Sequence, residues 1–347
     1  MTALGPVQVS RDYSWHRDDG GVFRADLALG LDGALTRQAT RLATLAGVEH
    51  SFARAQQMLQ EFCGWQVDDE TIRRTTHAEA KRAQARRATR GDASSFAKAE
   101  APIEVLIDAG KVNTLGGWRD VKLGLFLRRI RGWPVPPERW DDRELPPPLY
   151  RTAIAAIEEA ESFGHRLRRE ADRLSVTTAM DVTVLGDGAE WIWNLADEHL
   201  PQAVGVLDVY HALEHVSDAV KAVWGDGTDT AKTVTEAGRQ ALLAGGKGGF
   251  ERWLGSVILT APPGVSTAPL IAAAAYLAKH PTRLAYAGRL ATGRSIGSGA
   301  VEGAIKQIVN VRMKRTGARW KVDHVGPLVE LRALSTTPEW HNLWTAA

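Results

Sequence analysis

The stretch that decides the fold is VTVLGDGAEWIWNLADEHLPQAVGVLD, running from Val182 to Asp208. Val182 to Leu185 is a short, mainly apolar run that reads as a strand. Gly186-Asp187-Gly188 turns the chain, Trp191 to Ala196 starts a helix, and Val204 to Leu207 is a second apolar run. Strands alternating with helices indicate an α/β sheet. Each run ends in an aspartate, Asp187 or Asp208. Functional groups in open α/β sheets collect at the carboxyl ends of strands.

Toward the N-terminus, Ile103 to Ile107 reads as a strand with Asp108 directly after it, and Val121 to Leu127 as its hairpin partner across Gly116-Gly117. The Pro cluster from Pro134 to Pro148 breaks the pattern and wraps the surface. Arg151 to Leu174 is expected to be a helix, with Ile154, Ile157, Phe163 and Leu167 on or near one face. Ahead of the polar stretch Thr89 to Glu100, three helices are expected. The first carries Leu35, Ala39, Leu42 and Leu45 and stops at Gly47. The second, Phe52 to Phe62, is capped by Ser51, and the third runs from Asp68 or Asp69 through Ile72 toward Arg90. Three short helices with a basic last one fit a helix-turn-helix unit, and equally an ordinary helical bundle. The first thirty residues, with Asp18-Asp19-Gly20-Gly21, have no clear period.

Toward the C-terminus the chain is helical from His211 to Arg289, with Leu213, Val216, Val220 and Val223 in helical spacing and an Ala-rich helix at Ala272 to Ala278. Gly245 to Gly249 is expected to be a mobile break. Ala300 to Val311 is a last amphipathic helix that aims Val301, Ala304, Ile305, Ile308 and Val309 at a core.

The 347 residues are 44% hydrophobic and carry a formal charge of only +2, which excludes disorder as the main description. A lone Cys63 excludes a disulfide scaffold and a multi-Cys zinc site. The most apolar stretch, Ala268 to Ala278, is well short of the ~20 residues of a membrane span, so a soluble, cytoplasmic protein is expected. The charge is uneven, however. Gly303 to Val322 holds six basic residues (Lys306, Arg312, Lys314, Arg315, Arg319, Lys321) and no acid, and Lys81 to Arg90 holds five more, Arg86 and Arg87 among them. Dense blocks of one sign fit either a solvated surface or a polyanion partner such as DNA.

Three carboxylates stand out. Asp108 and Asp187 follow strands, and Glu302 opens the last helix behind Gly297-Ser298-Gly299. A few carboxylate oxygens suit a hard divalent cation, and two such ions ~3.5 to 4 Å apart can clamp a phosphoryl displacement. Each residue also has a plain alternative. Asp108 and Asp187 fit turns, and Glu302 precedes Lys306 by four positions, the spacing of a helix-surface ion pair. Asp208 and His211 are candidates for support behind these acids. His211 and His215 share a helix face but lack a third zinc ligand nearby. Of Trp191 and Trp193, at most one faces the candidate site, and core packing suits both.

Three blocks carry a family likeness: Leu185-Gly-Asp187-Gly-Ala-Glu-Trp-Ile-Trp-Asn194; Leu207-Asp208-Val-Tyr-His211-Ala-Leu-Glu-His215; and Gly297-Ser-Gly-Ala-Val-Glu302-Gly-Ala-Ile-Lys306, followed by Arg312-Met-Lys-Arg-Thr-Gly-Ala-Arg-Trp320. From about Leu29 to the C-terminus the chain resembles the ISKra branch of bacterial insertion-sequence transposases, in the Mutator-like part of the DDE superfamily. The resemblance implies a ribonuclease-H-like core with a helical insertion before the last catalytic helix, and an N-terminal helical segment. The matching catalytic and metal-binding acids are Asp108, Asp187 and Glu302, and the spacing of Asp208 and His211 is similar to a signature of Mutator-like enzymes. Two Mg²⁺ or Mn²⁺ ions are the implied cofactors. Double-stranded DNA, as terminal inverted repeats and target, is the implied partner. Lys306, Arg312, Lys314, Arg315, Arg319, Lys321, Arg86 and Arg87 are the DNA-binding candidates, with a homo-oligomer forming on DNA in a nucleoid-associated setting.

On this reading residues 1–30 are an irregular segment, a zinc-ribbon remnant without Cys, and 31–98 a helix-turn-helix-like DNA-binding segment. Residues 99–214 hold the first part of the core, 215–290 the helical insertion, and 291–347 the last catalytic helix and basic C-terminal segment. Family members usually begin with paired Cys, where this chain has Tyr13-Ser-Trp-His-Arg-Asp-Asp-Gly-Gly-Val-Phe23. Two other functions fit the same residues: a structure-specific nuclease of the same fold, and a degenerate element remnant that binds DNA without catalysis.

Overall fold

The computed structural model describes residues 1–347 apart from 9, 11, 18, 19, 30, 33, 89–93, 346 and 347; Asp18-Asp19 and the start of the Thr89 to Glu100 stretch therefore lie outside the described residues. Its centre is a mixed five-stranded sheet: β1 (Ile103–Thr114), β2 (Gly117–Arg128), β3 (Tyr150–Ala156), β4 (Val182–Gly186) and β5 (Val204–Leu207). In space they lie in the order β3-β2-β1-β4-β5. β2 runs against both β1 and β3, whereas β1, β4 and β5 are parallel. The chain is therefore α/β, as the apolar runs indicate. Every residue of β4 is buried, which is why its sequence shows no alternation of apolar and polar positions.

One expected helix is in fact a strand followed by a helix. Tyr150–Ala156 pairs with β2 from Lys122 to Arg128, and α4 begins only at Ala160 and ends at Arg173. Local periodicity could not show this, because the deciding contact is the open edge of β2, which gives Ala153 to Ala156 a ladder and a buried face. Phe163 and Leu167 do face the core from α4.

The N-terminal helices are α1 (Arg37–Glu49), α2 (Phe52–Cys63) and α3 (Asp69–Ala88). Ser51 caps α2 by accepting from the Arg54 N–H, and Asp68 accepts from the Thr71 N–H at 2.7 Å. Gly47 does not stop α1 as expected. It lies within the helix, where an added Cβ would stand 2.2 Å from Thr76 Oγ1 of α3, so the glycine permits close helix packing. These helices share a small core of Leu35, Ala39, Ala55, Leu59, Trp65 and Ile72. A hairpin, Tyr13–His16 with Gly20–Phe23, precedes them.

Beyond the sheet come α5 (Glu190–His199), α6 (Val209–Trp224), α7 (Asp229–Ile258) and α8 (Ala268–Ala278), the last three sharing a second small core that includes Val220, Val223 and Leu270. The expected break at Gly245 to Gly249 is a fixed reversal. Gly246 takes φ +54°, and the two halves of α7 fold back so that Gly238 meets the Trp253 indole and Gly249 meets the Ala241 carbonyl. The last long helices are α9 and α10 (Val322–Ser335). α9 runs from Gly299–Ala304 through a π-helical stretch, Ile305–Asn310, to Val311–Met313. Val301, Ala304, Ile305, Ile308 and Val309 are all buried, as their spacing predicts. Each fully buried aliphatic side chain is worth roughly 1.5 to 3 kcal/mol, enough to seat α9 firmly on the sheet. Among the described residues no helix is long and apolar enough to cross a membrane.

Candidate active site

The register of the sheet aligns the acids. In the parallel ladder of β1 and β4, Leu106 is level with Leu185, so Asp108 is level with Asp187 two residues on. In the ladder of β4 and β5, Gly186 is level with Leu207, which sets Asp208 beside Asp187. Three aspartates thus form a row across adjacent strands, which are spaced by about 4.8 Å: Asp187 and Asp208 follow the carboxyl ends of β4 and β5, whereas Asp108, expected directly after a strand, lies within β1, which its hairpin pairing with β2 carries on to Thr114. Gly186 permits this approach, because a Cβ there would press on Ile192 and the Ile107 carbonyl.

Glu302 reaches the row from above. α9 crosses β1 at Gly110, whose missing side chain leaves room for Ile305 and Val309. The start of the helix is tied down by Asp208. This fully buried carboxylate accepts through Oδ1 from the His211 N–H at 2.9 Å and through Oδ2 from the Ser298 N–H, so one side chain caps α6 and holds the segment leading into α9. The Val209 N–H donates to the Ile296 carbonyl and fastens the same joint. Asp208 is accordingly a positioning residue.

The charges sense one another. Burial pushes the Asp108 carboxyl up to about 6; the Ala109 N–H bonded to it and His211 act downward, and the negative charges of Asp187 and Glu302 act upward. Asp108, Asp187 and Glu302 are each half-buried, and among the described residues no Lys or Arg forms an ion pair with any of them. The Glu302 to Lys306 surface pair does not form, since α9 widens into its π-helical stretch at Ile305. Asp187 uses Oδ1 to accept from the Ala189 N–H, and the Trp193 indole N–H donates to the Asp187 carbonyl at 2.8 Å. Trp193 is thus both core and brace; Trp191 packs beside Phe163 and Lys122.

A hard, oxygen-rich donor set with no counter-cation fits Mg²⁺ or Mn²⁺. Among the described residues, no three acidic, His or Cys side chains are drawn tightly enough to hold a metal ion as they stand. His211 and His215 do not converge: His211 Nδ1 lies 3.7 Å from Glu214, and His215 stacks on Tyr276 at 3.8 Å between ring centres.

Tyr276 is a site residue that sequence reading passed over. It sits among alanines in α8, and its hydroxyl occupies the space where Gly188 would carry a Cβ, 2.2 Å away. Burial pushes its hydroxyl up to about 12, and Asp187 and Asp208 add to the shift. The only signal in the sequence was Gly188 itself.

The basic residues divide into two groups. Lys306, Lys314, Arg315, Arg319 and Lys321 are exposed. Arg312 is corrected from the expected DNA contacts: its side chain is buried between the Phe52 and Trp320 rings, 4.7 Å from each, and its Nε donates to the Gly47 carbonyl. Arg87 is corrected too, since it lies buried in ion pairs with Glu170 and Glu330. Arg86 donates to the Leu343 carbonyl at 2.9 Å and is itself exposed at the end of α3. The chain matches no family model and no curated protein.

Proposed function

We propose that this chain is a DDE-type transposase, a divalent-metal-dependent polynucleotidyl transferase that cuts and joins DNA at insertion-sequence ends on a ribonuclease-H-like core. The observation that carries the reading is the set of three carboxylates from distant parts of the chain, Asp108 level with Asp187 and raised by the charges of both Asp187 and Glu302, with no Lys or Arg among the described residues paired to any of them. The sheet order, with only the second strand reversed, supports a ribonuclease-H-like core. So do the helical insertion before α9 and the sequence resemblance.

Asp108, Asp187 and Glu302 would hold the ions. The chemistry such ions would supply, if bound there, is activation of water or a 3′-hydroxyl and stabilisation of the charge of the displacement. The chain's own residues do the rest. Asp208 fixes where Glu302 stands, Trp193 and Tyr276 brace the loop that carries Asp187, and the exposed cations beyond α9 draw the phosphate backbone toward the site.

The test uses duplexes taken from the DNA flanking the gene, incubated with Mn²⁺ and wild type, Asp187→Asn or Glu302→Gln. Wild type should cut and join these ends. Either variant should bind normally and cut at least about a thousandfold more slowly, a loss of about 4 kcal/mol of transition-state stabilisation. Variants that cut as fast as wild type remove these residues from the site. Cutting without joining assigns a nuclease of the same fold, and binding without cutting assigns a degenerate remnant.

A further inference from the structure

The hairpin of β1 and β2 extends well past the rest of the sheet. β4 pairs with β1 only from Ile103 to Leu106, and β3 pairs with β2 only from Lys122 to Arg128, whereas the hairpin ladder continues to Thr114 and Gly117. At ~3.4 Å per residue, its tip stands roughly 20 Å from Asp108. The turn is firmly built. Gly117 takes φ +100°, the Thr114 hydroxyl donates to the Gly117 carbonyl at 2.6 Å, and the Leu115 N–H donates to the Trp320 carbonyl at 2.9 Å.

This braced tip presents two large apolar side chains to solvent, Leu115 at 57% and Trp118 at 61% exposure. Cations frame them. Trp320 pairs with the tip through Asn113 and Thr114, which brings the loop from Lys314 to Lys321 alongside, and Arg319 donates to the Leu115 carbonyl. The acid on the hairpin arm, Asp120, is already paired with Lys111 at 2.9 Å. The nearest acid on the other side, Asp323, follows two residues after Lys321.

We infer that Leu115 and Trp118 form a wedge that enters a DNA duplex between base pairs while Lys314, Arg319 and Lys321 hold the flanking phosphates. The inference rests on the proposed function only in taking DNA as the partner. Charge complementarity selects that partner, since an apolar protein face would meet a ring of desolvated cations here, whereas a duplex offers phosphates to the ring and π-faces to the tip. Apolar wedges of this kind unstack a base step and kink the duplex. The length of the arm sets the reach: the wedge enters the duplex within about six base pairs of the point that passes Asp108, at ~3.4 Å per base pair.

The experiment uses the full-length protein with a 30-base-pair duplex in which alternate adenines are replaced by 2-aminopurine, without divalent metal so that no cutting occurs. Binding of wild type should raise 2-aminopurine fluorescence severalfold as bases unstack. Trp118→Ala should abolish the rise and weaken binding about tenfold at fixed salt, a loss in the range of one base–aromatic stack, with the salt slope unchanged. Trp118→Phe should restore most of both. Arg319→Ala should flatten the salt slope and leave the fluorescence rise of the bound complex intact. Binding with no fluorescence change overturns the wedge and leaves the proposed chemistry untouched. Absence of any DNA binding overturns both. Self-association of wild type that Trp118→Ala abolishes, without a fluorescence change, would give the tip to a second copy of the chain and also overturn the proposal.

Discussion

Two clusters of carboxylates lie in this molecule, and they are built on opposite terms. In one, Glu170 and Glu330 are buried among Arg87, Arg166 and Arg173, which join α3, α4 and α10. Burial pushes Glu170 up, yet Arg87 and Arg173 outweigh it and hold this carboxyl at about 2; Glu330 is raised, because its burial prevails over Arg87 and Arg166. In the other, Asp108 senses the charges of Asp187 and Glu302, no Lys or Arg among the described residues pairs with any of the three, and Asp108 rises to about 6. The first arrangement locks elements together. The second leaves negative charge unbalanced, which suits a site whose cations come from solution.

The largest effect should come from breaking the matched cluster. Arg87→Ala takes one of two guanidinium partners from each of two buried carboxylates, leaving Glu170 to Arg173 and Glu330 to Arg166, and is expected to destabilise the fold by about 2 to 3 kcal/mol, measured by urea denaturation. Glu302→Gln in the same assay should shift stability by no more than about 0.5 kcal/mol. Equal losses in the two variants would erase the distinction between the clusters.

Glu170 and Asp108 should also answer to pH with opposite signs. Glu170 is depressed below its unfolded value, so its contribution is present above about 4.5 and is lost as the pH falls toward 2. Asp108 is raised, so the folded state binds the extra proton and stability is lost as pH rises from about 3.8 to about 6. Asp108→Asn should therefore melt above wild type at pH 7, by on the order of 1 to 2 kcal/mol, and match it near pH 3.5. Adding Mg²⁺ or Mn²⁺ should stabilise wild type more than the variant and close the gap. A variant less stable than wild type at pH 7 would show that Asp108 is a structural residue.

Much of this contrast was legible in the sequence, and the reasons are physical. Asp187 and Asp208 could be picked out because each follows an apolar run at a strand end; Asp108 also follows an apolar run, but its strand continues to Thr114 on polar and small residues that hide it in the sequence. The inward face of α9 was legible from spacing alone. Arg87 and Arg312 were misread because charge density in a sequence says nothing about burial, and both are paired with partners far along the chain. The strand at Tyr150–Ala156 was missed because its pairing partner, β2, decides its conformation. Tyr276 was signalled only indirectly, by Gly188, since its role depends on how α8 packs against the Asp187 loop.

The smallest effect tests whether exposed and buried cations of the same basic block differ as the carboxylates do. Lys306 follows Glu302 on α9, is exposed and makes no ion pair with it, because the helix widens at Ile305. Lys306→Ala should leave stability within about 0.5 kcal/mol of wild type. If a phosphate lies against it, the log–log salt dependence of DNA binding should flatten by about 0.9. Arg312→Ala should do the reverse: it removes the donor to the Gly47 carbonyl and the contacts with Phe52 and Trp320, so it should destabilise the fold and leave the salt slope as it was. Binding titrations at four or more salt concentrations, paired with melting curves for both variants, resolve the two. A lower slope for Arg312→Ala in a protein that remains folded would mean that its guanidinium meets phosphate after all. The burial of that side chain between two rings argues that it does not.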